Sequence, residues 1–184
     1  MSTTTISSER IPTGVYKVDP KHSSVGFAVR HMGIATVRGS FQQFEGTIDA
    51  SSGAATLAGT VQVSSITTGD EQRDGHLLSP EFFDAERNPQ IRFHSTATEI
   101  ADDGTIRLTG EIELKGVSKP IDLVGTVAEG GADPWGNERI GFEVETSIDR
   151  REFGLDWNQT LPGGGLLVAN EVKLLVSVSA VKGS

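Results

Sequence analysis

Four histidines are the residues of this chain best suited to metal binding or proton transfer. His22 and His31 lie nine positions apart in one extended stretch, which separates them by roughly 30 Å at about 3.3 Å per residue. Their positions also differ in parity, so they face opposite sides of a strand and do not chelate one ion. No HExxH, paired-histidine or clustered-carboxylate spacing is present. The sequence therefore predicts no metal site and favours hydrogen bonding at strand ends, with separate sites at His76 or His94 as the alternative.

A charged triplet, Arg73, Asp74 and His76, is the second candidate for chemistry, because charged groups beside a cavity often have perturbed pKa values. Adjacent positions on a helix point in different directions, so these side chains do not converge. An ion pair of Asp74 with Arg92 or Arg150 is the expected outcome. The chain has no cysteine, no G-x-S-x-G elbow, no P-loop and no dinucleotide fingerprint. We therefore predict no catalytic residue.

The charge of the chain narrows the range of partners. Its 16 basic and 25 acidic residues give a net charge of −9, and no basic cluster is present, so nucleic acid is not an expected partner. The same sign argues against docking on an anionic membrane surface. No apolar window approaches the length of a membrane span. The first residues contain no apolar core of a secretory signal, from which we expect a cytoplasmic location.

Apolar residues recur at every second position from Val15 onward, between turn signals, as in half-buried strands. Roughly eight strands follow one another, and the absence of strand–helix–strand alternation favours an antiparallel sheet. Glycines stand in the middle of apolar strand faces, which is typical of a sheet that bends sharply or leaves room: Gly39, Gly46, Gly59, Gly110 and Gly125. We predict an all-β, eight-stranded antiparallel barrel as a single domain over residues 14–182, after a disordered tail over residues 1–13.

One stretch, residues 67–89, interrupts the strand pattern. Thr68 and Glu71 have the spacing of a capping box, which predicts a short helix over residues 70–78. Ser79 followed by Pro80 predicts a further turn over residues 80–84. The stretch presents large apolar groups on a piece too short to be stable alone: Leu77, Leu78, Phe82 and Phe83. We therefore predict that it acts as a lid or plug on the open end of the barrel.

The interior of an eight-stranded barrel is either filled by side chains or holds one small ligand. The inward glycines, together with Ser95 and Ala97, remove volume from the lumen and favour a cavity. Large apolar residues fall on the inward faces and on the lid, where a long apolar ligand would contact them. The predicted apolar lining consists of Phe27, Val29, Phe41, Phe44, Leu78, Phe82, Phe83, Phe93, Leu108, Phe142, Phe153, Leu155 and Trp157.

Motifs along the whole chain carry a resemblance to a known family. They are Tyr16-x-Val18-Asp19-Pro20-x-His22-Ser23-x-Val25-x-Phe27-x-Val29-Arg30-His31, Val37-Arg38-Gly39-x-Phe41, Phe44-x-Gly46, Thr68-Gly69-x-x-x-Arg73-Asp74-x-His76-Leu77, Phe82-Phe83-Asp84-Ala85, Pro89-x-Ile91-x-Phe93, Gly116-Val117-Ser118-Lys119-Pro120, Arg150-x-x-Phe153-Gly154 and Val172-x-Leu174. Together they span nearly all of residues 14–180, and in this respect the chain resembles the YceI-like family.

The resemblance implies a lipocalin-like extended barrel, commonly a homodimer, that holds a polyisoprenoid such as a quinone tail or a prenyl phosphate in its lumen. It implies a binding protein with the lipid as ligand and no required cofactor. For the polar head group of such a ligand, His31, Arg38 and Arg150 are the candidate contacts. Two alternatives remain open: an enzyme or accessory factor acting on an isoprenoid or amphiphilic amide, and a filled structural barrel without a ligand.

Overall fold

Alternating apolar residues produce strands along almost the whole chain, and these strands form one antiparallel sheet. The computed structural model describes residues 10–183. Its strands are β1 (Val15–Val18), β2 (Ser24–His31), β3 (Ala35–Phe41), β4 (Phe44–Asp49), β5 (Thr56–Gln62), β6 (Ile66–Thr67), β7 (Gln90–Ile100), β8 (Thr105–Leu114), β9 (Val117–Val127), β10 (Gly131–Ala132), β11 (Glu138–Asp149) and β12 (Val168–Lys182). The one α-helix among the described residues is α1 (Glu71–Leu78), and 3₁₀ turns cover Val63–Ser65 and Arg150–Phe153.

The sheet closes into a barrel with eight strand positions. β1 and β2 occupy one position, since both pair with the same edge of β12, Tyr16 opposite Lys182 and Phe27 opposite Leu174. β3 and β4 share the next position, and β5 and β6 the one after it. β7, β8, β9, β11 and β12 complete the ring, which pairing of β11 with β12 closes. The predicted eight-stranded antiparallel barrel is confirmed.

A bulge in β7 reverses which of its residues face the lumen. Ser95 lies opposite Gly110 but Ala97 lies opposite Thr109, so one extra residue interrupts the alternation. Beyond the bulge Ala97 is exposed and Thr98 is buried. The prediction that Ala97 helps to empty the lumen was therefore wrong. Within residues 10–183 the turned-in Thr98 hydroxyl has no hydrogen-bond partner.

Closely packed side chains fill one end of the barrel, which we call the closed end. Tyr16 and Ala180 are completely buried there, and the Tyr16 hydroxyl donates a hydrogen bond to the Pro12 carbonyl at 2.8 Å. Ile11 is buried in the same core, and the Arg10 guanidinium donates to backbone carbonyls of the neighbouring turn and strand. Residues 10–13 are thus part of the fold, which corrects the predicted tail; residues 1–9 lie outside the described residues.

The insert at residues 67–89 covers the opposite end, which we call the mouth. α1 begins after Asp70, whose carboxylate accepts hydrogen bonds from the backbone N–H groups of Gln72 and Arg73. The predicted capping box at Thr68 was wrong, because its hydroxyl instead donates to Asp74 at 2.6 Å. Asp74 therefore binds the Thr68 hydroxyl in place of the predicted ion pair with Arg92 or Arg150. Among residues 10–183, no helix is long and apolar enough to cross a membrane.

Candidate functional site

The lumen between the closed end and the insert contains a cavity of about 230 Å³. Its wall is almost entirely apolar and includes residues from the barrel strands and the insert. Of the residues predicted from the sequence, the wall includes Phe27, Val29, Phe41, Phe44, Phe82, Phe83, Phe93, Leu108, Phe142, Leu155 and Arg150. The barrel is therefore not filled with side chains. A ligand in the cavity would contact apolar atoms almost everywhere.

Two phenylalanine rings lie over glycines of the neighbouring strand. A Cβ atom built on Gly39 would lie 2.2 Å from the Phe27 ring, and one built on Gly110 would lie 2.8 Å from the Phe93 ring. Each ring thus occupies the space that another residue's side chain would take. The glycines keep the lumen open because they leave room for these rings next to the sheet. The sequence had predicted only that the glycines reduce the side-chain volume inside the lumen.

Aromatic contacts connect the wall to the lid, which comprises α1 and the turn after it. Phe41 lies between Phe27 and Phe83, with ring centroids 5.8 Å and 6.0 Å away. The edge-to-face geometry of the Phe41–Phe83 pair is a favourable one for aromatic rings. Phe82 and Phe83 belong to the turn, so this chain of rings holds the lid directly above the cavity.

A second aromatic cluster, His76, Phe82 and Trp157, packs the lid against the segment after β11. Trp157 packs against Phe82 and His76 with centroid distances of 5.4 Å and 4.8 Å. The His76 Nε2 atom also forms a hydrogen bond with the Glu81 carboxylate, which ties the helix to the turn. Trp157 therefore packs against both the helix and the turn of the lid, and the predicted lining residues Leu78, Phe153 and Trp157 do not lie on the cavity wall.

Arg150 is the charged side chain buried at the cavity wall. It is only 4% exposed, and its Nε atom donates to the Ala169 carbonyl at 2.9 Å. Its terminal nitrogens donate to the carbonyls of Leu155, Trp157 and Val168. These bonds use four of the five N–H donors of a guanidinium. Burial lowers the pKa of Arg150 below its ordinary value.

The other two predicted head-group contacts lie away from the wall. His31 ends β2 opposite Ala35 and is half-buried, on the same parity as Val29. Arg38 pairs with Ala28 on the opposite parity, so it lies on the outer face of the sheet and is exposed. Because alternate residues of a strand face opposite sides, Arg38 cannot contact a ligand inside the lumen, and its assignment is corrected.

The remaining histidines form pairs with carboxylates at exposed positions. His22 Nδ1 lies 2.8 Å from Asp19 and His94 Nε2 lies 3.7 Å from Glu111. Between residues 10 and 183, no group of three or more histidine or carboxylate side chains is arranged to hold a metal ion.

Sequence reasoning missed a large aliphatic part of the wall. These residues are Val18, Val25, Leu57, Val61, Leu77, Ile91, Ile112, Leu114, Ile121, Leu123, Val144, Ile148, Val168, Val172, Leu174, Val176 and Val178. Many of them share the inward parity of the predicted aromatic residues, and that parity was the signal available. Aliphatic residues at such positions are typical of an ordinary packed core. Only the presence of the cavity therefore shows that these residues line a space for a ligand instead of filling a core.

Comparison with known proteins gives consistent matches along the chain. The YceI-like domain matches residues 16–180. Protein YceI of Salmonella arizonae is 34% identical over 172 residues, covering 91% of this chain and 86% of that protein. The crystal structure of Burkholderia cenocepacia BcnA has a TM-score of 0.76 at 25% identity, covering 88% of this chain and 98% of BcnA. A polyisoprenoid binding domain from Saccharophagus degradans has a TM-score of 0.69 at 14% identity, covering 91% and 98%.

Proposed function

This chain belongs to the YceI-like family, and from that premise we propose that its barrel binds a polyisoprenoid lipid, of the isoprenoid quinone or prenyl phosphate type, and stores or transports it. The observation that carries this proposal is the apolar cavity of about 230 Å³ beneath the lid. A polyisoprenoid binding domain from Saccharophagus degradans has the same fold.

The chemistry of the wall favours a long hydrocarbon over a compact polar ligand. Binding would gain about 0.3 kcal/mol per heavy atom, so a chain of roughly 20 carbons gives ~6 kcal/mol, a Kd in the tens of micromolar. A chain longer than the cavity of about 230 Å³ accommodates would add affinity only if the lid moves to bury more of it. Up to that limit affinity would increase with chain length, and a few polar contacts would select the head group.

The polar groups of the site favour binding without turnover. Arg150 is the buried charge at the wall, and its donors are largely engaged with backbone carbonyls that hold the segment around Leu155. A group held in this way orders the protein and has little freedom to transfer a proton. We therefore propose a binding protein in which Arg150 offers at most one remaining N–H to a head group.

The test is native mass spectrometry of gently purified protein, followed by organic extraction and identification of the lipid. A stoichiometric isoprenoid adduct is expected. The double variant Phe93→Gln, Phe142→Gln introduces two amides into the wall without hydrogen-bond partners, so it should lose the adduct. Val124→Gln, at an exposed position on the outer face, is the matched control and should keep it.

Two outcomes would contradict the proposal. One is a folded double variant, as judged by circular dichroism, that retains the lipid as well as the unmodified protein does. The other is an unmodified protein with a clean apo mass that takes up neither added quinone nor prenyl phosphate, which would favour a role unrelated to lipid binding.

A further inference from the structure

Three large apolar side chains are exposed together beside the mouth. Met32 is 43% exposed, Ile34 76% and Leu166 45%, and we call these three residues the rim patch. Met32 and Ile34 form the tip of the β2–β3 hairpin. The Met32 N–H donates to the Leu167 carbonyl at 2.8 Å, which places the tip next to Leu166. The rim patch thus brings together two segments that are distant in the chain but adjacent in the fold.

At the tip of the hairpin the apolar residue Met32 occupies a turn position at which small or polar residues are preferred. The Ile34 N–H donates to the His31 carbonyl, and Met32 and Gly33 have φ values of 55° and 71°, as in a type I′ turn. Asn, Asp or Gly is preferred at the Met32 position. The corresponding residue of the β8–β9 hairpin, Lys115, also has a positive φ, and its Nζ donates to the Gly154 carbonyl. The methionine instead directs an apolar side chain towards solvent.

The surface around the rim patch has a charge opposite to that of the whole chain. No acidic residue occurs in residues 20–44 or 157–170, although the net charge of the chain is −9. Arg30 and Arg38 are exposed on the hairpin, and the Arg30 guanidinium donates to the Gly33 carbonyl at 2.9 Å, which holds its charge at the tip. The hairpin is therefore locally basic, and the facing segment, residues 157–170, carries no charged residue.

Acidic groups at the mouth lie on neighbouring elements. α1 and the turn after it carry Glu71, Asp74 and Glu81, and Asp156 and Glu171 flank the segment of Leu166. Most of this negative charge is on the lid side of the mouth. The lid side of the mouth is therefore acidic, whereas the hairpin side carries Arg30 and Arg38 with Glu171 beside them.

We propose that the rim patch docks the mouth on the surface of an anionic phospholipid bilayer, an inference that rests on the proposed lipid-binding function. Anionic lipids attract exposed arginines, and the interface accepts apolar side chains. Val29 and Val168 line the cavity, and they lie three residues before Met32 and two residues after Leu166. A lipid could thus pass between lumen and bilayer along a continuous apolar path.

The net charge of the chain had predicted that it does not dock on an anionic membrane. The local charge matters more, because the effect of a charge depends on its distance from the bilayer. Only charges within about a Debye length of the bilayer, roughly 10 Å or less, contribute to docking. With the hairpin side facing the bilayer, those charges are Arg30 and Arg38 together with Glu171, which lies in the register shift of β12 beside Arg30, so the two arginines outnumber the one carboxylate. A patch of three side chains supports only weak, reversible attachment, which suits a protein that must leave the membrane with its lipid.

The experiment is co-sedimentation with vesicles of phosphatidylcholine alone and of phosphatidylcholine mixed with phosphatidylglycerol. The unmodified protein should bind the anionic vesicles, and added salt should release it. The variant Met32→Asn, Ile34→Ser should reduce the partition coefficient at least tenfold, while Asn at the turn preserves the fold. Trp135→Ser, which removes an 81% exposed apolar side chain from the closed-end side of the barrel, is the matched control and should bind normally.

Lipid uptake from detergent solution, measured without vesicles, separates this inference from the proposed function. The Met32→Asn, Ile34→Ser variant should take up lipid normally. If the unmodified protein takes up lipid but does not sediment with anionic vesicles, docking is wrong and lipid binding stands. If it sediments but takes up no lipid, the proposed function fails. If light scattering shows a dimer that the variant dissociates, with no vesicle binding, the rim patch is a contact between copies and the inference is overturned.

Discussion

At the scale of single residues, Arg150 shows how a buried charge can be stabilised without an ion pair. Its guanidinium binds backbone carbonyls of residues 155, 157, 168 and 169, so one side chain joins the segment after β11 to the start of β12. Within the described part of the chain, no carboxylate forms a salt bridge with it. The arginine therefore replaces the hydrogen bonds that an irregular, buried backbone would otherwise lack.

Replacing this arginine should destabilise the protein strongly. Arg150→Met keeps a long side chain but leaves buried carbonyls without donors, and we expect a loss of about 3 kcal/mol. For a chain of this size that corresponds to a fall in Tm of about 6–12 °C, measured by a thermal melt. Arg151→Met, which removes an exposed partner of Asp149, is the control and should change Tm little. An Arg150 variant with an unchanged Tm would show that water, rather than the guanidinium, satisfies those carbonyls.

At the scale of secondary-structure elements, the pairing of glycine with phenylalanine across neighbouring strands determines the width of the lumen. Phe27 on β2 lies over Gly39 on β3, and Phe93 on β7 lies over Gly110 on β8. Phe27 lies directly opposite Gly39, whereas Phe93 lies diagonally to Gly110, since its direct partner is Ile112. Glycine also allows backbones to approach closely: a Cβ on Gly110 would lie 2.3 Å from the His94 carbonyl oxygen, and one on Gly125 would overlap the Glu143 carbonyl oxygen of β11.

A methyl group at one of these glycines should close part of the cavity. In Gly39→Ala the new Cβ would lie 2.2 Å from the Phe27 ring, so the ring must move into the lumen. We expect a loss of about 1–3 kcal/mol in the free energy of unfolding, and weaker lipid uptake, measured by denaturant titration and by binding of added quinone.

The control for this prediction is Gly163→Ala, since no heavy atom lies within 4 Å of the position that its Cβ would take. Its stability and lipid uptake should stay close to those of the unmodified protein. Unchanged lipid uptake in a stable Gly39→Ala variant would mean that Phe27 does not control the width of the lumen.

At the scale of the whole molecule, an ion-pair clamp joins distant segments on the closed-end side of the barrel. Arg139 on β11 binds Asp133 at 2.8 Å and Asp19 at 3.0 Å. The hydrogen bond from His22, and after it the one from Arg139, lowers the pKa of Asp19 to about 2. Arg139 likewise lowers the pKa of Asp133 well below its ordinary range. The clamp links the β1–β2 junction to the loop before β11.

This clamp predicts a loss of stability in acid. Because the pKa of Asp19 is lower in the folded protein than in the unfolded chain, the unfolded chain binds the proton more tightly. The stabilisation is therefore fully present above pH about 4 and declines as the pH falls towards 2. Tm measured from pH 7 to pH 2 should show this decline, and Asp19→Asn should start lower at pH 7 and decline less. Parallel curves for the two proteins would contradict the assigned role of Asp19.

Much of the fold follows from local sequence, because strand alternation is a property of neighbouring residues. The parity of residues such as Phe27, Phe41 and Phe93 predicted which side chains face the lumen. The same rule failed at Ala97, since a bulge changes parity without a clear mark in the sequence. The alternation within β3 places Arg38 outside the barrel, because Arg38 and the inward-facing Phe41 differ in parity.

The sequence by itself determined the strands, the antiparallel barrel, the lid and the apolar character of the lumen, because alternation, turn residues and short apolar inserts act over a few residues. Only the tertiary structure decided which end is closed, how Arg150 is satisfied and that Met32, Ile34 and Leu166 meet at the mouth. These features depend on contacts between residues far apart in the chain, where β11 meets β12 and where the hairpin tip meets the segment before β12. The free energy of such contacts depends on closure of the whole barrel, which no local pattern encodes.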